Sequence, residues 1–338
     1  CSPTMDYRNG RLYSYTNSMF NSNNNGQQIY SNWRVSGRLT QKFNNANQEE
    51  EDSQSKSLIS NAYYTIQVDY SNTSSLYQDK THQDNLFDYG YIGNFDTQVQ
   101  RYYSYGEDTS INLEGWIHET FDYPIDTFVP GNVNPELANY TSQFFDYFEG
   151  YYLRKEDVLQ SGGLLNGYTP PSIYSLYTSP GVPYSSYAVN DANQFRVSAN
   201  GVADIGDHEF TLGFEFEQRK DYQYNVAPYG LWGLAEDLMN YHIMERDLGN
   251  PQPVYDANGV FQDTINYPRL FNAEQQTQFD LSVREYLGLP SNGLEWVDVN
   301  NMNPSDFDIS YFSPDELFNQ GNNYVFYYGY DHTGEKLD

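Results

Sequence analysis

The sequence predicts an all-β fold of antiparallel strands joined by long connections that carry short helices. Three observations predict it. Four segments alternate apolar and polar residues along their whole length. The connections between them are short and very long by turns. Tyr accounts for 35 of 338 residues and aromatics for 17%, which suits half-wetted β surface rather than a disordered acidic chain.

The first span, 32–43, sets Trp33, Val35 and Leu39 against Arg34, Ser36, Arg38, Thr40 and Lys42. The second, 62–70, sets Ala62, Tyr64, Ile66, Val68 and Tyr70 against Tyr63, Thr65, Gln67 and Asp69. The third, 194–204, opposes Phe195, Val197, Ala199 and Ala203 to Arg196, Ser198 and Asn200. In the fourth, 208–219, Phe210, Leu212, Phe214 and Phe216 point away from Glu209, Thr211, Glu215 and Glu217. Period-two alternation gives each strand one apolar and one polar face.

The connections decide what the apolar face meets. Residues 44–61 are polar, rich in Glu, Asn and Ser, and read as flexible, while DIGD at 204–207 is a tight turn. The excursions 71–193 and 220–338 are far longer than loops of a compact domain, which rarely pass about 15 residues. Outer-membrane barrels pair short turns at one end with long loops at the other, and each span needs only about 10 alternating residues. The expectation is therefore a single barrel segment over 1–338, part of a transmembrane antiparallel β-barrel. Phe210, Leu212, Phe214 and Phe216 are expected to face lipid, and Arg34, Arg38, Glu215 and Glu217 to face the lumen. The core of a β-sandwich is the other environment that the alternation allows.

Helix signals lie inside the excursions. Ser313-Pro314-Asp315-Glu316 fits a capping box with Pro at the first helical position and a stop at Gly321. Residues 272–288 space Phe279, Val283 and Tyr286 on one helical face, 231–249 space Leu234, Leu238, Tyr241 and Leu248 likewise, and 134–150 read as a further short helix. Residues 168–187 form a loop rich in Pro and Tyr.

The formal charge is -29, with 17 basic against 46 acidic residues, so nucleic acid is not an expected partner. Cys1 is the only cysteine, which leaves no internal disulfide; it reads as the start of a fragment or as a lipidated first residue. No charged-then-apolar leader and no apolar run of about 20 residues is present, which speaks against helical spans but not β spans.

Four strings resemble one family: YTIQVDYS (64–71), HQDNLFDYGYIGNFDT (82–97), HEFTLGFEFEQR (208–219) and FSPDELFNQGNNYVFYYGYDHTGEKL (312–337). They are similar to the barrel region of TonB-dependent outer-membrane receptors of the Oar-like, carboxypeptidase-regulatory-domain type from Bacteroidetes-like bacteria. The resemblance implies a 22-stranded parent barrel around an N-terminal plug, with energy delivered by TonB to a box before the plug. Plug, TonB box and regulatory domain have no counterpart in this sequence, and Lys336-Leu337-Asp338 is not an aromatic strand end. The resemblance thus implies an internal portion of a longer receptor, located in the bacterial outer membrane with its long loops at the cell surface.

Catalytic patterns are missing. His118-Glu119 and His208-Glu209 lack the second His of HExxH, the Ser of GLPSNG (288–293) is misplaced for a nucleophile elbow, and no phosphate loop occurs. No catalytic, cofactor or metal residue is expected. Calcium is the one possible ion, at Asp256-Ala257-Asn258-Gly259 or 331–334, though both also read as Asp-initiated turns. Ligand contacts in the loops are expected at Trp116, Tyr174, Tyr177, Trp232 or Trp296, with Tyr151 and Tyr152 beside them, unless these rings build loop cores. The leading function is thus a portion of a ligand-importing receptor with lipid bilayer, TonB and an unknown ligand as partners. A non-transporting scaffold that binds surface lipoproteins, and a secreted β-sandwich adhesin or carbohydrate-binding module, are the alternatives.

Overall fold

The computed structural model describes residues 1–14, 21–43, 59–151, 153–170, 181–318 and 323–337. The chain is mostly β, in largely antiparallel sheets, none of which closes into a barrel among the described residues. In chain order the strands are β1 (Ser2–Leu12), β2 (Gly26–Phe43), β3 (Ile59–Gln78), β4 (Gly93–Thr97), β5 (Gln100–Asp108), β6 (Leu113–Asp122), β7 (Ile125–Pro130), β8 (Tyr187–Ile205), β9 (His208–Val226), β10 (Gln252–Tyr255), β11 (Phe261–Asn266) and β12 (Val325–Tyr328).

Six of them form one sheet in the order β1-β2-β3-β8-β9-β12. The four expected spans are its four central strands, each antiparallel to the next. The strands run further than the alternation did. β3 continues through SNTSSLYQ, β8 starts seven residues early at Tyr187, and β9 continues through KDYQYNV. These extensions carry polar residues on both faces, so their pairing comes from neighbouring strands rather than from a hydrophobic period. β1 has the same origin, held by a register from Ser2↔Ser36 to Leu12↔Gly26.

The two longest connections leave the sheet at one end, where the shorter 13–25 also lies, and 44–58 joins β2 to β3 at the end of the tight turn. At one end of the sheet β8 turns into β9 through Gly206-Asp207, closed by Ile205↔His208; Gly206 takes φ 62°, where only glycine is unstrained. At the other end lie the paths from β3 to β8 and from β9 to β12, which fold together into one cap. β6 from the first path lies parallel to β11 from the second, in a four-stranded sheet ordered β10-β11-β6-β5. Gly115 permits that approach, because a Cβ there would sit 2.7 Å from the Asp263 carbonyl oxygen.

Shorter helices form at the signals, Pro135–Tyr147, Pro228–Leu238, Gln278–Tyr286 and Pro314–Leu317; the second starts three residues before the expected 231–249 and ends before Tyr241 and Leu248, which are exposed rather than on its buried face. A fifth, Lys155–Gln160, carried no signal. Ser313 and Glu316 make the expected capping box. Glu316 also serves a second helix: Oε1 accepts from the N–H of Gln278 at 2.7 Å while Oε2 accepts from that of Ser313 at 2.7 Å. Glu316→Ala is therefore expected to lower stability by about 1–2 kcal/mol, read as a shifted urea midpoint at unchanged slope. Gly321, Tyr152, Tyr174, Tyr177 and nearly all of 44–61 fall outside the described residues.

Candidate membrane-facing surface

Register assigns each side chain of the large sheet to a face, because directly paired residues share one. Rows across β2, β3, β8 and β9 read Val35, Tyr70, Phe195; then Val68, Val197, Phe216; then Leu39, Ile66, Ala199, Phe214; then Tyr64, Gly201, Leu212. Phe43 with Ala62, and Ala203 with Phe210, complete the lower margin, and Met5 extends the face onto β1 beside Trp33. This face is bare. Leu212 is 80% exposed and Phe214 61%, with Phe210 and Phe216 also exposed. No second sheet covers it among the described residues. The sandwich-core environment allowed by the alternation is thus not found here.

The rows from Val35 to Phe43 cover about 27 Å of strand, a length that the ~40° tilt of membrane barrels would turn into roughly 20 Å of height. Aromatic pairs mark both margins. Trp33 packs on Tyr70 at 5.2 Å above, and Phe43 on Tyr64 at 5.9 Å below. Contiguous bare apolar surface of this size on a soluble protein marks an interaction surface.

The opposite face is a polar lattice. Arg34 Nη2 donates to Asp69 Oδ1 at 2.8 Å, and Arg38 Nε to Gln67 Oε1 at 3.1 Å. Gln67 in turn donates to Asp69 Oδ2 at 2.8 Å. Glu217 accepts from Gln194 at 2.7 Å. Glu215 lies 2.9 Å from Arg196 Nε, an ionic contact whose angle makes no hydrogen bond. Arg34, Arg38, Glu215 and Glu217 therefore share one face but do not meet, since β3 and β8 stand between them. Asp69, Gln67 and Arg196 are the links, and their place on the polar side of the alternation was the signal for them.

The cap rises from the same face as the apolar strip. Tyr224, Val226 and Val325 continue the row parity of Phe216 and enter the largest core, with Leu231, Trp232, Phe279, Phe307 and Phe312. Between strip and cap lies a hydrophilic belt, Asn72, Ser74, Asp191, Asn193 and Lys220. The long loops thus lean over the apolar side of the sheet.

The aromatic candidates separate. Trp232 is fully buried and donates to the carbonyls of Phe87 and Tyr89 at 3.2 and 3.1 Å, so it is a core side chain joining the two excursions rather than a ligand contact. Trp296 stacks on Tyr123 at 3.8 Å, with the Arg269 guanidinium 4.9 Å away. Burial, with Arg101 nearby, pulls the Arg269 guanidinium down to about 10. Trp116 remains half-exposed, edge-on to Tyr105 at 5.5 Å, and Tyr151 is exposed. The two turn loops bind their own backbone. Asp256 Oδ1 accepts from the N–H groups of Asn258 and Val260, and Asp331 Oδ1 from those of Thr333 and Glu335. Among the described residues no three His, Cys, Asp or Glu side chains group as metal ligands.

Two cap histidines are buried with no hydrogen bond to either ring nitrogen. Burial pulls the imidazoles of His118 and His242 below their ordinary value of 6.5; Asp280, 3.4 Å from His242, opposes this. The unfolded chain then binds more protons, so stability is full above 6.5 and falls as pH drops below it. His118→Phe, placed among Tyr103 and Phe121, is expected to flatten the fall in urea-unfolding free energy between pH 6.5 and 5.

No helix among the described residues is long and apolar enough to cross a membrane. No protein-family model, curated protein or solved structure matches the chain.

Proposed function

We propose that this chain forms wall and outer cap of a TonB-dependent outer-membrane receptor, which binds a ligand at the cell surface and admits it through a plugged barrel. The observation that carries this reading is the two-faced sheet. A bare apolar strip roughly 20 Å tall, near the ~25 Å apolar band of a membrane barrel, with aromatic pairs at its margins, backs onto a hydrogen-bonded polar face. A water-filled lumen accounts for the lattice and lipid accounts for the strip. The departure of the two longest connections from one end of the sheet, and the family resemblance of the four strings, support the same reading. In it the chain supplies channel wall and recognition surface and performs no chemistry of its own.

Sedimentation tests the membrane part. The chain is expected to be monodisperse only in detergent, because β9 below Gln223 and the outer edge of β1 leave strand edges unpaired beside apolar surface. A monodisperse species in plain buffer would sink the proposal and favour a secreted binding module. Deleting the TonB box of a receptor that contains this chain separates transport, which is lost, from scaffolding, which is not.

A further inference from the structure

We infer that a pocket beneath the overhanging cap binds the oligosaccharide head of an outer-leaflet glycolipid, an inference that rests on the membrane reading above. The pocket holds about 450 Å³. Ile29, Leu76 and Tyr187 line it with Gln27, Gln78, Gln83, Lys80 and Asp84. By register, Ile29 and Leu76 pair directly and share the parity of the apolar strip, so the mouth opens on the lipid side of the sheet and not on the polar side.

Height selects the ligand. From Tyr70, at the upper aromatic margin, to Leu76 is six residues, or about 20 Å of strand and roughly 15 Å of height at barrel tilt. A phospholipid headgroup layer is only about 5–8 Å thick, so phospholipid heads end in the belt of Asn72, Asn193 and Lys220, below the pocket. A lipid whose head is a chain of sugars passes that belt and reaches it. The lining suits a sugar. Tyr187 and the two aliphatic side chains offer a surface for C–H faces, and side-chain amides offer paired donors and acceptors for hydroxyls. Those amides are already ordered: Gln78 Nε2 donates to Gln27 Oε1 at 3.1 Å, and Gln27 Nε2 to Asn9 Oδ1 at 2.9 Å. Lys80 and Asp84, both exposed, give the lining one charge of each sign, and Lys80 is the group that can meet a phosphate or acid on the sugar.

The test is calorimetric titration of the full chain in detergent with delipidated core oligosaccharide prepared from rough lipopolysaccharide. Binding is expected, weakened about 10-fold by Lys80→Glu and less by Lys80→Gln, with unchanged circular dichroism. No binding by the unaltered chain, equal affinity in Lys80→Glu, or equally tight binding of inorganic phosphate alone would each overturn the inference. Sedimentation of the same sample keeps the two readings apart. If the chain needs detergent but ignores the oligosaccharide, only this inference falls; if it is monodisperse without detergent, the membrane reading falls and takes this inference with it.

Discussion

Phe214→Arg is expected, on the proposed membrane reading, to impair membrane assembly by about 2–4 kcal/mol, the cost of placing a guanidinium on a lipid-facing side near the bilayer midplane. Phe214 sits in the third of the four apolar rows described above, beside Ala199 and Ile66, with most of its surface bare. Arg on this ring position finds no free carboxylate, because the one acid of β8 on this face, Asp191, lies eight residues up the strand from Ala199 and is held by Tyr330 and Lys336. Glu215→Gln, one residue away, is expected to be nearly silent. Glu215 is half-exposed and its contact with Arg196 is a surface ion pair, a class worth about 0–1 kcal/mol. The measurement is urea unfolding from lipid vesicles of both variants, each with the cap intact. If Glu215→Gln is the more damaging, the faces are reversed and lipid lies on the polar side. If both are silent, the strip touches neither lipid nor protein.

The large sheet was legible because its order rests on a period of two. Alternation placed Phe214 and Arg34 on their faces, and pairing needed only that successive spans be neighbours in the sheet, which the DIGD turn guaranteed for β8 and β9. β1 was not legible: SPTMDYRNGRL has no period, and its place comes from eleven residues of β2 that offer it an edge. The cap was legible only at its helix ends, where Ser313, Pro314 and Glu316 carry local chemistry. Its sheets join segments far apart in sequence, as Trp116 does with Thr264, and no local pattern encodes such a pairing. Trp232 shows the same limit for sites. A Trp in a loop-rich region reads equally as a ligand platform or a core anchor, and only the carbonyls of Phe87 and Tyr89 decide between them. Direction was the other illegible feature: the face from which the cap rises follows from the parity of Tyr224 and Val226, inside a stretch too polar to show alternation.

Asp280→Ala is expected to unfold the cap while leaving the strip's membrane affinity in place. Asp280 and Arg284 are fully buried, one helical turn apart, with Nε 2.9 Å from Oδ2. Asp280 also accepts from the N–H of Asn240 and from Gln276, while Arg284 donates to the carbonyl of Glu295. Asn240, held at φ 62°, exchanges hydrogen bonds with Val297. One carboxylate thus ties the end of helix Pro228–Leu238 to helix Gln278–Tyr286 and to the segment behind it. Removing it leaves a buried guanidinium unpaired, a loss of about 3–5 kcal/mol, more than a surface pair could cost. The attraction itself is not the main quantity, since desolvation of both ions offsets most of it. The double variant Asp280→Leu/Arg284→Met should therefore recover part of the loss, limited by the orphaned groups of Asn240 and Glu295. Near-ultraviolet circular dichroism of the aromatic cap reads the first effect, and vesicle flotation reads the strip. A double variant less stable than Asp280→Ala would show that the ion pair itself holds the cap, and loss of flotation in Asp280→Ala would show that cap and wall fold as one unit.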